Sequence, residues 1–140
     1  RVIVTAHSNG NTILRMAYDR HDTCPDIAVC IQPALPSKLH PSPNAKHVSV
    51  YWNPDDRVVK LGRILTWATR LISDKWAASR NWGQMGATGY LGKSPNVDNV
   101  NTMGYPDPAF GHSGLFHGEA SKYWITRIFE YSYKRALALK

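Results

Sequence analysis

Five consecutive apolar residues, Ile27-Ala28-Val29-Cys30-Ile31, bounded by Asp26 and by Gln32-Pro33, constrain this chain more than any other feature. A strand with one wet face alternates apolar and polar side chains. An unbroken run must be covered on both faces, which suits an inner strand of a parallel sheet. Two further β-rich runs accompany it. Arg1–Ala6 carries the β-branched series Val2, Ile3, Val4 and Thr5, and His47–Trp52 ends in the turn sequence Asn53-Pro54-Asp55-Asp56. Asn96–Met103, with Val97 and Val100, is a weaker fourth candidate.

The intervening segments change period. Asn11–Arg20 sets Ile13, Leu14, Met16 and Ala17 at helical spacing. From Val58 to about Arg80, Leu61, Ile64, Leu65, Ala68, Leu71 and Ile72 share one face, and Glu119–Leu139 is a terminal amphipathic helix with Trp124, Ile125, Ile128, Phe129 and Ser132 as its core stripe. Pro33, Pro36, Pro41 and Pro43 make a loop of the stretch to Lys46, and the Gly/Pro-rich Gly104–Gly118 segment is another. Strands alternating with helices predict an α/β protein, 1–140 forming one domain portion, with a mostly parallel sheet and helices on both faces.

Composition narrows the function classes. No apolar run reaches the roughly 20 residues that cross a bilayer. The formal net charge is +7, which admits an acidic partner or contact with an anionic membrane surface. The cations are interleaved with apolar residues at helical spacing, however, so they read as solvated helix faces, and no specific nucleic-acid partner is expected. Cys24 and Cys30 flank a strand that would hold them roughly 20 Å apart, and they are expected to be free, buried thiols. No His, Cys or carboxylate set has metal-ligand spacing, so neither a metal nor another cofactor is expected. The Trp67, Trp76, Trp82 and Trp124 group reads as core and helix packing.

The strongest chemical signal is Val2-Ile3-Val4-Thr5-Ala6-His7-Ser8-Asn9-Gly10-Asn11, a strand, a serine with small residues two positions away on each side, and then a helix. At such a turn a nucleophile takes a strained backbone conformation, and small residues at −2 and +2 allow the close approach. Ser8 would stand at the amino end of a helix, where the dipole and the Asn9 backbone N–H can meet an oxyanion. The simpler alternative is that Ser8 only caps the helix. A nucleophilic serine needs a base, and the base an orienting carboxylate. Asp55, Asp56 and Asp107 are the carboxylates on later loops, and His112 and His117 the imidazoles. His112, flanked by Gly111 and directly after the last strand and loop, is favoured over His117 at the helix entry. His7 reads as a packing residue, and Asn11 as one that caps or packs the first helix.

Taken together, the Ala6-His7-Ser8-Asn9-Gly10 elbow, Asp56-Arg57-Val58-Val59 and the Gly111-His112-Ser113 loop resemble the α/β-hydrolase superfamily, in its serine esterase and lipase-like branch. The resemblance covers nearly all of the chain as the last four strands and their helices. It implies Asp56 as the acid, because the family's acid commonly stands three residues before a valine, here Val59. It also implies a small-molecule or lipid ester as substrate and a triad of Ser8, Asp56 and His112 with Asn9 as an oxyanion donor. The departure is Ala6 where the commonest form has glycine. The earlier strands of the family's sheet, with the second oxyanion donor, would lie in a missing amino-terminal half, and the 140 residues alone are expected to be inactive. The alternatives are a noncatalytic module of the same fold and a basic surface module.

Overall fold

The computed structural model describes residues 1–21, 24–61, 84–103, 111–116 and 118–139. Strands β1 (Ile3–His7), β2 (Ile27–Ile31), β3 (His47–Trp52) and β4 (Val97–Asn101) form one sheet in the order β1-β2-β3-β4, with every pairing parallel. Ile3 lies opposite Ile27, Ile27 opposite His47, and Val48 opposite Val97, so the strands end nearly level. That alignment brings the loops after β1, β2 and β3 to one rim. All five residues of β2 are buried, as its unbroken apolar run requires, whereas β1 and β4 at the edges are only partly covered.

Helix α1 (Gly10–Arg20) follows β1, a short α2 (Met85–Thr88) precedes β4, and α3 (Gly118–Ala138) closes the chain. A helical turn at 57–61 follows β3, and a 3-10 turn at Gly114–Phe116 leads into α3. Both faces are covered, one by α3 and the other by α2 together with loop residues. Ile27, Val29, Ile31 and Tyr51 pack against Trp124, Ile128 and Ala136 of α3. On the other side, Ala28, Cys30, Val48 and Val50 pack with Leu35, Ala45, Met85 and Tyr90. This is the period-2 division of a strand between two faces. The architecture is α/β, as the alternation of periods predicts.

Several details differ from the sequence reading. The buried row of α3 is Trp124, Ile128, Ser132 and Ala136, while Ile125 and Phe129 face solvent, Phe129 at 64% exposure. Apolar side chains fill two adjacent rows of this helix, and contact with the sheet selects the row beginning at Trp124. In α1 the buried positions are Asn11 and Thr12, and Ile13 is exposed. Both cysteines are free, but only Cys30 is buried. Burial pushes the Cys30 thiol up to about 12, so it stays protonated and acts as a small apolar filler. The expected helix from 62 to 80, Trp67, Trp76, Trp82, Asp107 and His117 lie outside the described residues.

Candidate active site

The turn from β1 into α1 has the strain expected of an elbow. Ser8 has a φ of 53°, the left-handed region that a side chain with a Cβ normally avoids. Its neighbours hold it there. The Ser8 N–H donates to Ile31 O at 3.0 Å, and Ser8 O accepts from Asn11 N at 3.2 Å and Ala34 N at 3.2 Å. The buried Asn11 amide adds bonds to Ala6 O at 3.2 Å, Ser8 O at 3.1 Å and Ile31 O at 3.4 Å, tying β1, β2 and the elbow together. Asn11 thus clamps the turn, beyond simple helix packing. A methyl added to Gly10 would stand 3.8 Å from Ala6 Cβ, an ordinary contact, so the small pair leaves more room than the elbow pattern suggests.

Ser8 is not the helix cap. Asn9 occupies the N-cap position with no side-chain cap bond, and the Ser8 hydroxyl points elsewhere. Ser8 Oγ lies 2.8 Å from His112 Nε2. On the other side of the same ring, His112 Nδ1 lies 2.8 Å from Asp56 Oδ2. A carboxylate can only accept, so Nδ1 donates to Asp56 and Nε2 is left as the acceptor for the Ser8 hydroxyl. The imidazole therefore bridges hydroxyl and carboxylate across residues separated by more than a hundred positions.

Asp56 owes its place to turn and helix chemistry. Asn53 Oδ1 accepts from Asp55 N at 2.9 Å and Asn53 O from Asp56 N at 3.0 Å, folding the chain tightly after β3. Asp56 Oδ1 accepts from Val59 N at 3.0 Å, the i to i+3 contact of an N-cap, at the start of the helical turn at 57–61. One carboxylate oxygen caps the helix and the other meets the histidine. Asp56 is fully buried while Asp55 is exposed, which separates the two adjacent carboxylates. Val59, also fully buried, fills the helical position that the cap fixes.

No protein-family model, no curated protein and no solved structure matches this chain.

The loop that carries His112 is held from three strands. His7 Nε2 lies 2.9 Å from His112 O, Gln32 Nε2 donates to Gly111 O, and Asn53 Nδ2 donates to the same carbonyl at 3.4 Å. The His7 ring also meets the His112 ring at a tilt, 4.8 Å between centroids, and Phe116 edge-on at 4.9 Å. Burial lowers the His7 pKa, outweighing the opposing effect of its hydrogen bond to the His112 carbonyl. A carbonyl only accepts, so the His7 proton sits on Nε2. Gly111 has a φ of 72°, and a Cβ there would lie 2.6 Å from Asp55 O. Only glycine lets the histidine loop lie against the acid's turn.

The Asn9 N–H, the expected oxyanion donor, has no acceptor among the described residues and stands beside the Ser8 elbow. Gln32, Asn53 and Gly86 also build the site, although none of them stands in a catalytic motif of the sequence. A Cβ on Gly86 would meet Gln32 C at 2.8 Å, Gln32 O at 2.9 Å and Asp56 Oδ2 at 3.1 Å, so α2 seals the underside of the acid. Their roles depend on contacts between distant segments, and only the turn-forming character of Asn53 leaves a local trace.

Proposed function

We propose that this chain is a serine hydrolase of the α/β-hydrolase superfamily, in the esterase and lipase-like branch, cleaving a carboxylic ester through an acyl-enzyme. The observation that supports the reading is one imidazole with its two nitrogens 2.8 Å from a strained serine and 2.8 Å from a buried carboxylate. In this reading His112 Nε2 takes the proton from Ser8 Oγ as the oxygen attacks the ester carbonyl. Asp56 holds the ring in the required tautomer and stabilises the imidazolium. The Asn9 N–H donates to the carbonyl oxygen as it gains negative charge. Collapse of the tetrahedral species breaks the bond to the leaving alcohol, which takes the proton back from His112. Water, deprotonated by the same nitrogen, then releases the acid and restores Ser8.

The direct test is mixing the complete protein with excess p-nitrophenyl acetate. A rapid release of about one equivalent of p-nitrophenolate, followed by slower turnover, is the signature of an accumulating acyl-enzyme. Ser8→Ala should abolish the burst. An undiminished burst in that variant would reject Ser8 as the nucleophile, and a folded, complete wild-type protein without any burst would favour a noncatalytic module.

A further inference from the structure

Gln32 carries two unfavourable features at once. It follows directly on β2 with a φ of 42°, one of two non-glycine residues among those described with positive φ, the other being Ser8 itself. Such a backbone is unfavourable for a residue with a Cβ, which crowds the following carbonyl. The residue is 1% exposed, and its Oε1 makes no hydrogen bond of normal geometry among the described residues, although the His7 ring lies close by. A buried acceptor left unpaired is a further cost, because it has given up its water without a replacement. Such costs persist where the surroundings over-determine a conformation, and they gather at working sites.

The surroundings here are the site's own parts. Gln32 N donates to Tyr51 O at 2.8 Å, anchoring the residue to β3. Gly86 packs against both the Gln32 backbone and Asp56. The Gln32 amide then reaches across to Gly111 O, the peptide immediately before His112, and its side chain also neighbours His7, which binds His112 O. Two successive carbonyls of the histidine loop are thereby gripped from the ends of β2 and β1.

We infer that Gln32 is a positioning residue, setting His112 between Ser8 and Asp56 through the Gly111 carbonyl; its catalytic meaning rests on the hydrolase reading above. Gln32 touches neither Ser8 nor the reacting atoms. Its contribution is to the fraction of time in which both nitrogens of the ring are engaged.

The test uses Gln32→Met in the full chain, which keeps the side-chain length and removes both the donor and the orphan acceptor. Ile27→Val, at the far end of β2, serves as a control for lost stability. The first readout is the downfield Nδ1–H proton resonance of His112, which reports its bond to Asp56 without requiring activity. The second is the rate of labelling by a fluorophosphonate. Gln32→Met should broaden or abolish the resonance and slow labelling by about ten- to a hundredfold, as a misplacement near 1 Å does. Ile27→Val should change neither. If Gln32→Met does not fold, Gln32→Gly carries the same comparison, because glycine accepts the positive φ while removing the amide. A sharp, unshifted resonance in the folded variant, or equal loss in Ile27→Val, overturns the positioning role. Failure of the wild type to label while its resonance responds to Gln32→Met would count against the hydrolase reading alone and leave the positioning supported.

Discussion

Each end of the sheet gathers a serine, a histidine and an aspartate, and the two sets differ in how the imidazole is used. At the carboxyl end His112 presents Nε2 to Ser8 and Nδ1 to Asp56, each at 2.8 Å. At the amino end Ser49 Oγ and Asp98 Oδ2 both approach His47 Nε2, at 3.2 Å and 3.6 Å. One nitrogen cannot relay a proton between two partners as a ring with a partner on each side can. Asp98 is also engaged by Arg135 at 2.9 Å and by the Tyr131 hydroxyl, so its charge serves to pin α3 to the sheet. Asp56 makes no ion pair with Lys or Arg among the described residues, and its second oxygen is taken by a helix cap. Ser49 lies fully buried in a regular strand, whereas Ser8 is half-buried at positive φ. Residue types alone therefore do not distinguish a site from a structural cluster. Which ring nitrogen faces which partner, and on what backbone, does.

The largest expected contrast comes from removing the two carboxylate charges. Asp56→Asn should slow fluorophosphonate labelling by on the order of 10³-fold or more, because the ring loses the partner that fixes its tautomer. Asp98→Asn should leave that rate unchanged. Similar losses in both variants would erase the distinction between the ends.

A smaller effect should separate the two serine settings in stability. Asn11→Ala removes the amide that clamps Ala6, Ser8 and Ile31, and thermal unfolding should show a loss of about 2 kcal/mol. Labelling should fall as well, since the elbow would be free to relax. Ser49→Ala should cost less and leave labelling intact. The reverse order of stability losses would place the tightly constrained serine at the wrong end.

The smallest effect concerns pH. Burial is the main cause lowering the pKa of both His7 and His47 from 6.5, outweighing the opposing pull of Asp98 on His47. The unfolded chain then binds more protons, so this stability is fully present above pH 6.5 and is lost as pH falls from there towards the folded values. Melting temperature should drop between pH 7 and pH 5, and His47→Gln should flatten the drop. A melting temperature that rises on acidification would contradict the sign.

Much of this arrangement was legible from the chain. The covered strand at Ile27–Ile31 follows from an apolar run with no polar interruption, and the elbow from a strand, a serine between small residues and a helix. Asp56 could be preferred to Asp55 from its spacing to Val59, and the N-cap bond to the Val59 N–H gives that spacing its physical content. Other features had no local signature. Two adjacent apolar rows on α3 left its buried face undetermined, which is why Phe129 was expected inside. Gln32 looks like any polar residue ending a strand, since its value lies in reaching Gly111 across 79 positions.

Under the proposed hydrolase reading, the carboxyl rim activates one serine and the amino end activates none. Peptide mass spectrometry after fluorophosphonate treatment measures this most directly. An adduct is expected on the peptide containing Ser8, absent from the Ser8→Ala protein, and none on the peptide containing Ser49. An adduct on Ser49, or a folded, complete protein whose Ser8 stays unmodified, would contradict it.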